Sequence, residues 1–454
     1  MQQEIPLNSV TESDINLTAA RKDWLATVVD EKTKALLDKD ARYFFHQALS
    51  TPCLDVLSDC NDATITAISG KKYYDFHGNN VHQIGYSNPK LIENISQQLQ
   101  SLSFSPRRFT NEPAINFAEK LASLCPGSLN RILLTPNGSS AVGIALKLAR
   151  AITKKYKVVS FWDSFHGASL DAISVGGESV FREFMGPLLP GIERITPPVI
   201  YRGIFENNEN KCLEYLEYVF AKEGDIGAFI VETIRNTDVQ IPSKHFWKVA
   251  RKLCDTYGVL LILDEIPIAL GRTGKMFAFE HYDIEPDVLC LGKGLGGGIF
   301  PQAVIITRDE YNVFGAVSLG HYTHEKSLIG AIAGLTTIQF IEKNNLLTKV
   351  QEDAIYMQSE LNRFQEKFSL IGDVRGIGLL WGIELVKDQI TKEKAIIEAE
   401  KVMYACLKRG LSFKVSAGNV LQLSPALTIS RVELMDALQI LEESLTLVLN
   451  QKNN

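Results

Sequence analysis

Cysteine is scarce and scattered in this chain: Cys53, Cys60, Cys125, Cys212, Cys254, Cys290 and Cys406 make an odd set with no C-x-x-C spacing. Such a pattern argues against a disulfide framework or a structural zinc site, and no metal is expected. No apolar run reaches membrane-spanning length, and the opening stretch "MQQEIPLNSVTESDINLTAARKDWL" lacks a basic start followed by an apolar core. A cytoplasmic protein without a membrane partner is expected. Neither sign of charge dominates. The 47 basic and 53 acidic residues leave a net charge of -6, which implies no general attraction to nucleic acid, so any anion site is local. Low-complexity linkers and internal repeats are also missing.

What is there fits a large globular protein. The chain of 454 residues is 45% apolar and 22% charged, enough to bury a core spread over roughly two or three lobes. From about residue 130, short aliphatic runs alternate with helical patterns. "RILLT" precedes "SSAVGIALKLARAIT", and "KVVSFW" precedes "DSFHGASLDAISVGG", read as helical. "GAFIVE" precedes a helix near 244 to 257, and "GVLLILDE" and "DVLCLG" follow. Aliphatic strands separated by helices predict an α/β domain around a mostly parallel sheet, with ligands beyond the carboxyl ends of the strands. Asn137 to Ser140, Asp163 to His166, Glu232, Asp264 and Lys293 fall at those ends. "SLIGAIAGLTTIQFIEKN" then predicts a long helix leading to a smaller C-terminal lobe, with helices over about 391 to 409 and from about 431. The first 45 or so residues read as a helical arm.

Three of these stretches carry chemistry. "TPNGSSAVGIALKLAR" puts glycine and serines between strand and helix, where backbone N–H groups and the Ser139 and Ser140 hydroxyls can cradle a phosphate. A tight turn would look the same. Asp264, at the end of a hydrophobic strand, needs a cation, either an arginine or a protonated pyridine nitrogen. Lys293, between "VLCLG" and a glycine cluster, is either a salt-bridge lysine or a reactive amine. Together the three match the needs of pyridoxal 5'-phosphate: an anion site, a carboxylate that keeps the ring nitrogen protonated, and an amine for the Schiff base.

The stretch "LILDEIPIALGRTGKMFAFEHYDIEPDVLCLGKGLGGGIFPQAVIIT" resembles the class III, or ω-aminotransferase-like, pyridoxal-phosphate enzymes over its full length. "YYDFHGNNVHQIGYSNPKLIENI", "NGSSA", "SFHG" and "VRGIGLLWGIEL" extend the resemblance from about residue 70 to the C-terminus. It implies the aspartate-aminotransferase-like fold (fold type I). The large domain would hold a mostly parallel seven-stranded sheet, beside a smaller α+β C-terminal domain. On this reading residues 1–70 form a helical arm and a small-domain segment, 71–335 the cofactor-binding domain and 336–454 the small domain. A homodimer with active sites at the interface is implied. Lys293 falls on the Schiff-base lysine, Asp264 on the pyridine partner, Gly138, Ser139 and Ser140 on the phosphate loop, and Phe165 on the aromatic that covers the ring. His166 and Glu232 fall beside the cofactor, and Thr323 resembles the threonine that the neighbouring subunit lends to the phosphate.

Departures from the family pattern point to the reaction. Pro267 stands where the family usually has a glutamine for the cofactor's phenolic oxygen. Family transaminases often carry an arginine for the 2-oxoglutarate carboxylate, gated by a glutamate; here the positions are Gln422 and Thr237. Conversely, "FSPRRFTNEP" supplies Arg107 and Arg108, two adjacent guanidiniums suited to a phosphate-like group or simply a solvated pair. "DFHGNNVHQIGY", "FSPRRFTN", "DSFHGASLDAISVGG" and "GHYTHEKS" together are most similar to a subgroup of ammonia-lyases acting on (R)-1-hydroxy-2-aminoethylphosphonate. The implied substrate is a small aminophosphonate, bound by Arg107, Arg108 and His82 and converted to phosphonoacetaldehyde and ammonia. Departure of its hydroxyl needs an acid, for which protonated Lys293, His82 and His166 are candidates. The alternatives are an ω-aminotransferase using pyruvate or another non-dicarboxylate acceptor, and a catalytically silent binding protein, which the intact cofactor set disfavours.

Overall fold

A computed structural model of the chain describes residues 18–47 and 53–452. Its central sheet contains β1 (Leu129–Thr135), β2 (Lys157–Phe161), β3 (Ile192–Ile195), β4 (Ile226–Glu232), β5 (Leu260–Asp264), β6 (Val288–Leu291) and β7 (Ala303–Arg308). They lie in the order β1-β7-β6-β5-β4-β2-β3. β7 runs antiparallel to both neighbours and the other pairings are parallel. Every residue of β4 and β5 is buried, as expected of strands covered on both faces. Alternation sorts their side chains. Leu261 and Leu263 join one apolar cluster, whereas Leu260 and Ile262 join a second, against the helix Gly138–Thr153.

Loops at the strand ends are shaped by left-handed residues. Of the expected helix after β2, only Leu170–Val175 is helical, because Asp163 and Gly167 adopt positive φ (60° and 120°) and turn the chain back before it can wind. The helix expected over 391 to 409 starts later, at Ile396, since Lys392 is left-handed (φ 56°) and Lys394 bridges to Val386. Helices Lys244–Tyr257, Leu328–Lys343 and Arg431–Lys452 fall where the sequence patterns place them.

Two smaller sheets close over the carboxyl ends of the central one. In the first, Ile371–Ile377, Leu380–Leu385, Val420–Leu423 and Lys414–Ser416 pair antiparallel in that order. The second joins distant parts of the chain. Leu57–Asn61, Thr64–Ala67 and Lys72–Asp75 form an antiparallel meander, and Leu411–Ser412 adds parallel to Lys72–Asp75. An N-terminal helix, Ala20–Thr27, packs on this assembly through Trp24, whose ring is buried between Tyr73 and Tyr404 and whose Nε1 donates to the Leu54 carbonyl at 3.2 Å.

Candidate active site

A cavity of about 960 Å³ opens between the strand ends and the smaller sheets, lined among others by Gly138, Ser139, Phe165, His166, Glu232, Asp264 and Lys293. Lys293 opens a single helical turn after β6 with a left-handed backbone (φ 46°), an unfavourable conformation for a residue with a side chain. Gly294 makes the turn possible, because a Cβ there would lie 2.0 Å from Gln83 Oε1. Asp264 ends β5. Its Oδ2 pairs with His166 Nδ1 at 2.8 Å, and its Oδ1 accepts the Ile266 N–H at 3.1 Å. His166 Nε2 is buried and has no partner among the described residues. Glu232 ends β4 and accepts the N–H groups of Phe165 (3.2 Å) and Asn236 (2.9 Å). Burial pushes its carboxyl up to about 7, against the opposing pull of His166 and these donors.

The wall formed by Asn80, Asn236 and Thr237, backed by Gln422 of the small lobe, has a different character. Gln422, fully enclosed, donates Nε2 to the Asn236 carbonyl (2.8 Å) and to Asn236 Oδ1 (3.2 Å), and Asn80 Nδ2 reaches the same Oδ1 at 3.2 Å. The acceptors Gln422 Oε1 and Asn80 Oδ1 stay buried without hydrogen-bond partners among the described residues. Thr237 lines the cavity and donates Oγ1 to Glu178 Oε1 at 3.3 Å. The loop is braced from behind: Arg235 grips Asp238 with two bonds (2.6 and 2.5 Å), and Arg375 Nε donates to the Asp238 and Val239 carbonyls at 3.0 Å.

The profile of the class III aminotransferases matches residues 48–445. The chain belongs to the class III aminotransferase family. It is 55% identical over 456 residues to the (R)-1-hydroxy-2-aminoethylphosphonate ammonia-lyase of Vibrio splendidus (strain 12B01), covering 96% of this chain and 95% of that one. It is 33% identical over 426 residues to a leucine/methionine racemase of Thermococcus litoralis, covering 91% and 96%. Among solved structures, an aminotransferase of Bacillus anthracis superposes with a TM-score of 0.86 at 29% identity, over 92% of this chain and 100% of that one. This class III protein is therefore a pyridoxal-phosphate enzyme. The residues present fit the cofactor. The orphaned His166 nitrogen, the buried carboxylate it leaves facing the cavity, the lysine at a strand end and the helix start at Gly138–Ser139 supply the polar partners such a group needs.

The expected residues divide into two groups. Lys293, Asp264, His166, Glu232, Phe165, Gly138 and Ser139 converge on the cavity. Ser140 stands one residue behind its wall, with its N–H taken by the Asn137 side chain at 2.9 Å. His82 is not on that wall: the ring is fully buried, stacks on Tyr86 at 5.1 Å and places Nε2 3.2 Å from the Asp75 carbonyl. Burial, aided by the Arg272 cation and opposed by Asp75, lowers its pKa to about 4, so it is neutral at pH 7. Arg107, Arg108 and Thr323 are exposed and outside the residues lining this chain's cavity, and Arg107 bonds to His321. Asn80, Asn236, Lys414 and Trp24 line the cavity without having been anticipated. The signal for Lys414 lies in "SFKVSAGNVLQLS", whose two short strands bring it beside Gln422.

Proposed function

We propose that this protein eliminates ammonia from (R)-1-hydroxy-2-aminoethylphosphonate and forms phosphonoacetaldehyde. The observation that carries this reading is the 55% identity to the ammonia-lyase across nearly the whole of both chains. Gln422 and Thr237 support it, because the positions at which family transaminases carry the arginine and its gating glutamate hold an amide and a hydroxyl here.

Bound pyridoxal phosphate supplies an electron sink for negative charge on the carbon that bears nitrogen. Gly138 and Ser139, at the helix start, would hold its phosphate, and Phe165 on the same cavity wall would pack against it. Asp264, oriented by His166, supplies the buried negative charge that keeps the ring nitrogen protonated. Lys293 Nζ, on the cavity wall, would hold the group and is the base placed to take a proton from the nitrogen-bearing carbon of a bound substrate. Returned to the neighbouring hydroxyl, that proton lets the group leave as water. The enamine that remains moves a proton from nitrogen to the carbon bearing phosphorus and becomes an imine, which a second water hydrolyses to ammonia and the aldehyde. His82, buried and neutral behind the wall, is left out of this sequence.

We place the enzyme in the cytoplasm as a homodimer, with Thr323 lent to the partner's phosphate site. Exposed Phe104, Phe109, Val313 and Val317, on segments that meet where Phe104 packs edge-on against His324 (5.3 Å), support an assembly that covers them. Purified enzyme given the hydroxy-aminophosphonate and no oxo-acid is expected to release ammonia and phosphonoacetaldehyde over many turnovers. A single burst equal to the enzyme concentration, restarted by pyruvate, would establish the aminotransferase reading instead.

A further inference from the structure

The proposed substrate carries a phosphonate close to the reacting carbons, and a buried dianion needs a cation. Where family transaminases place an arginine, Gln422 is buried behind Asn236, and Asn236 and Asn80 line the cavity, none of them charged. Arg107 and Arg108 point the charge elsewhere: both are exposed, neither lines the cavity, and Arg107 is engaged with His321. Among the described residues, the lysines and arginines that line it are Arg21, Lys293 and Lys414. Arg21 sits on the N-terminal helix and donates Nη2 to the Cys53 carbonyl at 3.2 Å. Lys293 belongs to the cofactor.

Strand register singles out Lys414. In the antiparallel pair of Lys414–Ser416 with Val420–Leu423, Lys414 lies directly opposite Gln422. Residues opposed in this way project from the same face with Cβ atoms about 4.5–5.5 Å apart. The row continues through Gly382, opposite Gln422, to Arg375, which Asp373, Glu384 and two carbonyls hold away from any ligand. Lys414 is half-buried, and its flexible stem ends in a compact ammonium suited to a point contact with a phosphonate oxygen.

We propose that Lys414 is the phosphonate-binding residue, a cation displaced by one strand from the place where the family's transaminases bind a carboxylate. The assignment rests on the aminophosphonate reading above. It makes the small-lobe strand a specificity element: Lys414 takes the anion while Asn80, whose Oδ1 has no hydrogen-bond partner among the described residues, presents an acceptor to hydrogen-bond donors of the substrate.

The test uses the holoenzyme with Lys414→Met, which keeps the stem, Lys414→Arg, which restores a cation, and Arg107→Ala and Arg108→Ala for comparison. Two quantities are read: KM and kcat for (R)-1-hydroxy-2-aminoethylphosphonate, and dissociation constants for 2-aminoethylphosphonate and for ethanolamine, which carries the amine without the anion, from the visible absorption change on binding. Wild-type protein should prefer the phosphonate. Lys414→Met should erase that preference and raise KM about ten- to a hundredfold with a smaller change in kcat, and Lys414→Arg should recover most of the loss. An unaltered preference in Lys414→Met, no preference in the wild type, or a loss confined to the Arg107 or Arg108 variants would overturn the assignment. A preference that depends on Lys414 in an enzyme that releases no ammonia would uphold it and remove the lyase reading alone.

Discussion

The two walls of the cavity contrast in charge and in origin. Strand ends of the central sheet supply Lys293, Asp264, Glu232 and the His166 loop, a charged and titratable set on rigid, fully buried β-strands. The facing wall carries the amides Asn236, on the loop that leaves β4, and Asn80, backed by buried Gln422 and flanked by Lys414 on the short strands of the small lobe. In this protein, then, the groups for bond-making at the cofactor are fixed by the sheet core, and the groups that choose a reaction partner are fixed by a separate, smaller layer. One wall can keep a family's chemistry while the other changes its substrate.

The harshest way to break this contrast is to remove the reactive amine. Lys293→Ala is expected to lower turnover about a thousandfold or more and to abolish the borohydride-reducible adduct, while the small-lobe wall stays intact. Mass spectrometry placing the reduced pyridoxyl group of the wild type on a different lysine would refute the role of Lys293.

Acid–base behaviour should separate the walls next. Glu232 ordinarily would titrate near 4.5, and its folded value is about 7 because burial disfavours the anion. The folded state therefore binds the proton more tightly than the unfolded chain. The resulting stabilisation is present at pH 4.5 and below, and is lost as pH rises toward 7, roughly 3 kcal/mol in all. Urea unfolding of the cofactor-free protein at pH 5 and pH 8 should show this fall, and Glu232→Gln should flatten it. Glu265, raised to about 7 by the same cause, would keep a remaining slope. A variant with the full wild-type pH dependence would show that Glu232 does not titrate in that range.

A smaller effect is expected from rebuilding the family's charges on the amide wall. Gln422→Arg puts a larger group into an enclosed position and should cost about 1–3 kcal/mol of stability. Combined with Thr237→Glu, it should let 2-oxoglutarate accept nitrogen, detected as glutamate. Failure of the double variant to form any glutamate, though folded, would mean that the wall alone does not select the acceptor.

How far the sequence reads through to these walls differs between them. β4, β5 and β6 are aliphatic runs buried on both faces, so "GAFIVE", "LLILD" and "VLCL" stand out, and the reactive residues follow at their ends. Leu57–Asn61 and Thr64–Ala67 are short, half-exposed and polar, and no aliphatic run marks them. His82 read as a candidate ligand because histidine chemistry is visible in a sequence, whereas its enclosure behind Tyr86 is not. Lys414 went unnoticed for the opposite reason: its meaning depends on a register with Gln422 that two strands of three and four residues set only in three dimensions.

The parallel pairing of Lys72–Asp75 with Leu411–Ser412 has a consequence for how the enzyme comes into being. More than 330 residues separate the two strands, so the sheet they share cannot close until the ribosome has made nearly the entire chain. The central α/β unit can condense earlier, from strands that follow one another along the chain. Until residues 411–414 are made, the strand that carries Lys414 is missing from the chamber, so this side of the cavity closes after the central sheet's strands are complete.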